Sequence, residues 1–243
     1  MSILKFKKEK LCKELERCIA RYPRIPMIKH RLINVFYHTN PNIKNYENGK
    51  LNEILLIKKA RYKKYFSKND FESISYLIER PWRIPWLYEN KELVVENAGL
   101  NVFYEILGDV FNDTESAHNY TDMILELFYF GGNPLLMMKD EELIEYDKLP
   151  DFFKIWRGVE SGDDIYELDL LGCSWTLDFK QAKWFANRGS LKTNPYPLIF
   201  GLEIKKEDVL SLMTRSKENE INIDFNKIDN NKLERIYPNE ELV

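Results

Sequence analysis

The pattern of apolar residues changes once along this chain, between residues 145 and 152, and the change constrains the fold more than any other feature. Before it, apolar residues recur at the spacing of amphipathic helices, as in the segment 3–20. After it, short runs rich in β-branched and aromatic residues follow one another, in FFKIWRG, GCSWTL, PLIFGLEI and EINIDF. Helices followed by strands predict an α+β chain. We expect a mainly helical accessory or targeting domain over 1–148 and a strand-rich domain over 149–243.

The positions of single elements follow from the same spacing and from the residues that interrupt it. Helices are predicted over 3–20, 27–38, 50–66, 70–79, 100–130 and 139–147, and in the second domain over 179–188 and shortly after Lys206. The segment PNIKNYENGK at 41–50 is predicted to be a loop, because it is rich in Asn and contains Pro and Gly.

Two short segments occur twice in similar form. RYPRIP at 21–26 is similar to RPWRIP at 80–85, and INVFY at 33–37 is similar to LNVFY at 100–104. The offsets are 59 and 67 residues, so a duplication needs an insertion, and a solenoid normally needs three or more repeats. Two similar helical hairpins would explain the pair, but chance or shared local packing is the simpler interpretation.

The composition favours a globular chain in a reducing compartment. No run approaches the roughly eighteen apolar residues of a membrane span, and MSILKFKKEK lacks the apolar core of a secretory signal. Cys12, Cys18 and Cys173 form no C-x-x-C pair, so neither a disulfide framework nor a metal site is predicted. We therefore expect a cytoplasmic protein that does not bind membranes.

Charge is distributed unevenly along the chain. Residues 1–80 hold 19 Lys or Arg and 8 Asp or Glu, whereas the whole chain has a net charge of -3. A basic first part can bind nucleic acid, an acidic protein or the acidic remainder of the same chain. Contact with its own acidic part, or a solvated surface, is the plainest of these interpretations.

Two strand ends carry side chains suited to binding a nucleotide. Arg157 ends an aromatic-rich strand, and its guanidinium can bind two oxygens of a diphosphate at once. Gly158 follows it, where the missing side chain lets a ligand approach the main chain. Ser174 and Thr176 alternate with Trp175 in the next strand and should point to the same side.

A third strand begins behind two acidic residues. Glu218 and Glu220 stand two apart, just ahead of the apolar run INI, and should face the same way. Repulsion between their charges raises the pKa of one of them unless a cation or a substrate lies between them. A solvated acidic turn is the alternative interpretation.

Five features occur in one order: the Arg-Gly strand, the Ser-x-Thr strand, a helix with the pattern A-x-W-F-A, the segment IKKEDV, and the Glu-x-Glu pair. This order resembles the arginine–serine–glutamate class of ADP-ribosyltransferases, especially its small bacterial, toxin-like and phage-borne members. The resemblance covers residues 152–226, about a third of the chain. It implies a mixed β-sandwich and a mono-ADP-ribosyltransferase that consumes NAD.

The resemblance also implies a role for each matching residue in binding NAD. Arg157 would hold the diphosphate and ribose, and the main chain at Gly158 would hold the nicotinamide carboxamide. Ser174 would orient the nicotinamide ribose, and Thr176 falls at the third position of the family's Ser-Thr-Ser signature. Phe185, in the A-x-W-F-A helix, is expected beside the cofactor.

Catalysis is assigned to the acidic pair in the same way. Glu220 matches the catalytic glutamate, oriented by Ser174 and assisted by Arg157. Glu218 matches the position where a glutamate commonly accompanies modification of a protein arginine, which is the acceptor we expect. The chain departs from the family at Trp175 in the serine signature, in the short interval of 17 residues between Arg157 and Ser174, and in the segment MTRSK at 213–217, which lacks aromatic residues.

These departures leave two other hypotheses open. One is a catalytically degenerate fold that serves as a binding or regulatory module. The other keeps the NAD site but transfers ADP-ribose to water or to nucleic acid, motivated by the basic cluster Lys58, Lys59, Arg61, Lys63 and Lys64. The interleaved aromatic residues Tyr62, Tyr65 and Phe66 would then stack on bases, unless they form the buried stripe of a helix.

Overall fold

A computed structural model describes residues 9–22, 25–37, 41–114, 117–160, 171–188, 197–215 and 219–237. The chain divides into two compact units. The first comprises Met1–Ile106 with Asp113–Glu115, and the second comprises Leu107–Asn112 with Ser116–Val243. The unit that holds the larger sheet therefore starts ahead of residue 149, where the sequence pattern changes.

The first unit contains a small sheet as well as helices. Three antiparallel strands pair in sequential order: β1 (Ile19–Tyr22), β2 (Ile25–His30) and β3 (Ile33–Phe36). The helices are α1 (Lys13–Glu16), α2 (Pro41–Phe66), α3 (Phe71–Leu77) and α4 (Arg83–Ala98), followed by α5 (Leu100–Asn112), which contributes residues to both units. A 3-10 turn at Arg80–Trp82 separates α3 from α4.

This sheet corrects two predictions for the first domain. The helix predicted over 27–38 is wrong, because β2 and β3 form a hairpin there and bury Ile28 and Ile33. Of the helix predicted over 3–20, the described residues form only the single turn α1 before β1 begins. The β-branched residues satisfy a period of two in the hairpin better than a helical period.

Helix α2 corrects a third prediction. The segment 41–50 is helical rather than a loop, and it continues without a break into the predicted helix 50–66. Pro41 occupies the first helical position, where a missing N–H costs nothing. Asn48, Leu51 and Leu55 are buried at helical spacing, so tertiary packing outweighs the weak helix propensity of Asn and Gly.

The two similar segments adopt different structures. In RYPRIP the described residues lie in β1 and β2, whereas RPWRIP forms the 3-10 turn and the start of α4. INVF is the strand β3, and LNVFY opens α5. The similarity is therefore not a structural repeat.

The second unit contains the larger sheet. Its helices are α6 (Thr121–Tyr129), α7 (Asp140–Asp147) and α8 (Phe179–Asn187). Its strands are β4 (Phe152–Val159), β5 (Ser174–Thr176), β6 (Leu198–Lys205), β7 (Val209–Met213), β8 (Glu220–Ile223) and β9 (Glu234–Ile236), in the order β7-β8-β5-β4-β6-β9. The helices predicted over 139–147 and 179–188 are confirmed, as is that over 70–79, while 100–130 divides into α5 and α6.

The strand pairing at the centre of this sheet is short. Strands β4 and β5 are joined by one residue pair, Trp156 opposite Thr176, whereas β4 pairs with β6 along its whole length. Two three-stranded halves, β7-β8-β5 and β4-β6-β9, therefore meet at a single point. All strand pairs among the described residues are antiparallel. The expectation of a mixed β-sandwich stays a prediction. The chain has an α+β fold.

Helix α8 packs directly on β4. Trp156, Ala182, Ala186 and Ile199 form one buried cluster between the helix and the sheet. A Cβ atom at Gly158 would overlap the main-chain oxygen of Ala182 and lie 2.8 Å from the nitrogen of Ala186. Glycine is thus needed at position 158 because the helix backbone touches the strand there.

Replacing Gly158 by Ala should destabilise the second unit by about 3 kcal/mol, because an overpacked contact with backbone cannot relax by moving a side chain. The measurement is the free energy of unfolding in urea. Lys183→Ala, on the exposed side of α8, is the control and should change it by less than about 0.5 kcal/mol. Equal stability of both variants would contradict this account.

A buried ionic cluster ties α7 to the end of β7. The Glu142 carboxylate, which is 2% exposed, accepts hydrogen bonds from the main-chain nitrogen of Thr214 (2.8 Å) and from Nη2 of Arg215 (2.7 Å). Nη1 of Arg215 also donates to Asp109 at 2.7 Å. Burial alone raises the pKa of Glu142, but the hydrogen bonds and charge of Arg215 outweigh it, so the net pKa is lowered.

Glu142→Gln should therefore lower the free energy of unfolding at neutral pH by about 3 kcal/mol, because Arg215 loses a buried anionic partner. A lowered pKa means that this stabilisation is present above the unfolded pKa and is lost as pH falls through the lower folded value. The difference between wild type and variant, measured by denaturation from pH 7 to pH 3, should shrink below about pH 4.5. Glu145→Gln on the exposed side of α7 is the control, and a pH-independent difference would contradict the assignment.

Candidate functional site

Strands β5 and β8 bring Ser174 and Glu220 together. The strands pair antiparallel with Ser174 opposite Asn222 and Thr176 opposite Glu220, so all four side chains share one face. Ser174 and Glu220 are diagonal neighbours on that face, and Ser174 Oγ donates a hydrogen bond to Glu220 Oε1 at 2.5 Å. Both residues are partly exposed, so the carboxylate is fixed yet open to a ligand.

Arg157 reaches this pair from the neighbouring strand. It follows Trp156, the residue that joins β4 to β5, and its Nη1 donates to the main-chain oxygen of Ser174. Burial lowers the pKa of the guanidinium, while the negative charge of Glu220 acts to raise it, which places the two charges near each other. Among the described residues the buried Nε of Arg157 has no hydrogen-bond partner.

The structure therefore brings together Arg157, Ser174 and Glu220, three residues from three strands that the sequence predicts to form the site. A guanidinium holds the serine main chain, and the serine hydroxyl holds the carboxylate. A donor that is buried without a partner costs free energy, and an anionic ligand beside Arg157 would relieve that cost.

Gly158 and Thr176 each have contacts that give the residue a structural role. Gly158 lies beneath α8, as described above. The hydroxyl of Thr176 accepts a hydrogen bond from the main-chain nitrogen of Asp178 at 3.1 Å. The carboxylate of Asp178 in turn caps α8 by accepting from the nitrogen of Lys180. Thr176 thus shapes the turn that leads from β5 into the helix.

The exposed end of α8 lies close to the arginine. Phe185 is partly exposed, its ring contacts Trp184 with centroids 5.0 Å apart, and the guanidinium of Arg188 lies 5.2 Å from its centroid. The charge of Arg188 acts to lower the pKa of Arg157, so this second cation is within electrostatic reach of the site. Arg188 was not predicted from the sequence, although it lies three residues after Phe185 in the same helical motif.

Cys173 is a second neighbour that was not predicted from the sequence. Burial, reinforced by the charge of Glu220, raises the pKa of its thiol to about 12, and the positive charge of Arg157 acts in the opposite direction. Its main-chain oxygen accepts from the nitrogen of Ile223, which extends the pairing of β5 and β8. Only its position next to Ser174 could have indicated this location.

A buried polar pair lies on the same face as Ser174. Asn222, opposite Ser174 on β8, is fully buried, and its Nδ2 donates to Ser211 Oγ of β7 at 3.1 Å. Neither residue was predicted from the sequence, because Asn and Ser within strands carry no distinctive pattern. Glu218 lies outside the described residues, and Asn219, with a φ of 48°, leads into Glu220.

Comparison with family models, with curated proteins and with solved structures found no match to this chain. The chemistry of the site must therefore be inferred from its own residues. Within the described ranges, no group of His, Cys, Asp and Glu is arranged to hold a metal ion. In the same ranges, no helix is both long enough and apolar enough to span a membrane.

The raised pKa of Cys173 should make its thiol inert in the folded protein, because the thiolate is the reactive form. At pH 8, iodoacetamide should leave Cys173 unmodified in the native chain and modify it in guanidinium, as read by mass spectrometry of its peptide. Cys12, which is less buried, is the internal control. Rapid native labelling of Cys173 would contradict the burial described here.

Proposed function

We propose that this chain is a mono-ADP-ribosyltransferase that transfers ADP-ribose from NAD to a macromolecule, with a protein arginine as acceptor. The observation that carries the proposal is the continuous set of contacts from Arg157 through Ser174 to Glu220. The order of the sequence motifs selects these same three residues. Glu220 supplies the carboxylate of this set, and its partial exposure leaves it accessible to a substrate.

The cationic side of the site suits a dinucleotide diphosphate. Arg157 has a buried donor without a partner among the described residues, and Arg188 adds a second guanidinium within electrostatic reach. Arginine matches phosphate oxygens with parallel donors, so the two residues can hold adjacent phosphates. Phe185 offers a partly exposed ring beside Arg188 for the nicotinamide end, with the main chain at Gly158 as a further contact.

The acidic side suits cleavage of the bond between nicotinamide and ribose. That reaction develops positive charge on the ribose, as in glycoside hydrolysis. A carboxylate that is already oriented, as Glu220 is by Ser174, stabilises such charge without first having to reorganise. Glu218 stands two residues ahead in the sequence and would align an incoming guanidinium, which is a contribution of proximity.

The cysteines are compatible with action in a reducing cytoplasm. Cys12, Cys18 and Cys173 are all free thiols. Disulfides persist mainly in oxidising compartments, so free thiols support the cytoplasm as the place of action in this proposal.

Glu220→Gln should lower NAD cleavage at least about 10²-fold, because the amide keeps the shape but loses the charge that opposes the developing cation. The full chain is incubated with labelled NAD and a cell lysate, and both nicotinamide release and labelled protein are measured. Glu203→Gln, an exposed carboxylate on β6 of the same sheet, is the matched control and should retain activity.

Each remaining outcome has a defined meaning. Nicotinamide release without labelled protein would replace the proposal by an NAD glycohydrolase, and label in nucleic acid would change the acceptor. Labelling that survives Glu220→Gln would contradict the role of this carboxylate. No cleavage and no thermal shift with NAD would indicate a binding or regulatory module that uses the same fold.

A further inference from the structure

Helix α2 carries a cationic surface that the proposed NAD site does not use. Residues 50–68 contain seven Lys or Arg and a single acid, Glu53. Two of the cations are neutralised within the first unit. Lys58 pairs with Glu79, and Lys59 pairs with Glu14 at 2.8 Å.

The other five cations are exposed, and none of them forms an ion pair with another described residue. We call them the α2 basic surface: Lys50, Arg61, Lys63, Lys64 and Lys68. At 100° per residue Lys50, Arg61 and Lys64 lie within about 60° of one another around the helix axis, whereas Lys63 lies about 140° from Lys50. Lys68 lies just after Phe66, the last residue of the helix. From Lys50 to Lys64 the helix rises about 21 Å.

The opposite side of α2 is anchored, so the cations stand on a preformed support. Leu51 and Leu55 are buried, and Tyr62 is half-buried, lies beneath the guanidinium of Arg31 and stacks on Phe66. Tyr62 therefore packs on the protein and is not expected to stack on bases, whereas Phe66 is 42% exposed.

We propose that the α2 basic surface binds the phosphate backbone of nucleic acid without reading its bases. Five exposed cations on α2 and just after its end suit a polyanion, whose phosphates release counterions when it binds. The proposal concerns the first unit alone and goes beyond the NAD chemistry, whose success or failure it does not require.

The exposed apolar residues of α2 argue against a membrane or an apolar protein groove as the partner. Leu56 and Ile57 are exposed, but each has a lysine seven residues later on the same ridge, Lys63 and Lys64. They are therefore interleaved with charge. Helices that bind a lipid surface or a protein groove present a continuous apolar stripe instead.

The test measures binding of the full chain to fluorescent 20-nucleotide duplex DNA and single-stranded RNA by anisotropy. Between 50 and 200 mM salt, the logarithm of the affinity should fall with the logarithm of salt concentration with a slope of about -3 to -5, since up to five phosphates are neutralised. Arg61→Ala with Lys64→Ala removes two cations from the same side of the helix, and it should reduce this slope by about two and weaken binding at least about tenfold at low salt.

Three controls keep the result interpretable. Arg61→Lys with Lys64→Arg keeps the charge and should retain binding. Lys59→Ala removes a cation that is already paired, so it should have a smaller effect than Lys64→Ala. Leu56→Ser should leave nucleic-acid binding unchanged, and NAD cleavage should be unaffected in every variant because the substitutions lie in the first unit.

Several results would overturn the proposal. These are an affinity independent of salt, binding that survives loss of Arg61 and Lys64, or no binding at 50 mM salt. Binding to vesicles of anionic lipid that requires Leu56, without binding to nucleic acid, would assign the surface to a membrane instead.

Discussion

Strands β4 and β5 are joined by a single residue pair, and the geometry of the candidate site depends on this short pairing. Trp156 and Thr176 hold the two strands together at this point. Arg157, one residue further, pairs with β6 but not with β5, and its guanidinium reaches the main chain of Ser174. A continuous ladder would have satisfied that carbonyl with a strand N–H and left no need for the side chain. The narrow junction therefore places a charged group where a sheet normally has only backbone.

The site balances its charges across that junction. Arg157 is positive, and the carboxylate of Glu220 in the other half of the sheet lies within electrostatic reach of it. Arg188 forms an ion pair with Glu160 at 3.4 Å. The hairpin that carries Glu220 starts from the buried cluster of Glu142 and Arg215, which fixes the end of β7 by several hydrogen bonds. A buried ion pair of this kind adds geometric definition even where its net contribution to stability is small.

The sequence predicts the site residues well where their motifs are local. It predicts secondary structure less well where tertiary packing determines whether a segment is a helix or a strand. Arg157, Ser174 and Glu220 could be selected because the order of their motifs resembles that of a known family, and they lie on three strands that are neighbours in the sheet. Helix α8 could be predicted from its apolar spacing. The same reasoning predicted a helix where β2 and β3 pair, since short apolar runs fit both periods. The tetrapeptide NVFY begins in strand β3 and recurs inside α5, so its structure is set by its neighbours in space.

The contacts beyond the three selected residues had weaker signals in the sequence. Arg188 and Cys173 belong to the site by proximity in the fold, and neither residue type is distinctive at its position. The sequence predicts that Gly158 lets a ligand approach the main chain. The structure shows that it also lets the backbone of α8 approach strand β4. A glycine at position 158 thus has two physical explanations, access for a ligand and contact with the helix, and only the packing distinguishes them.

In that contact the backbones of α8 and β4 touch directly, with no side chain between them. Sliding the helix along the strand would drive the carbonyl of Ala182 into neighbouring side chains, so the register between α8 and β4 is held nearly constant. The helix therefore cannot shift without also moving β4, the strand that carries Arg157.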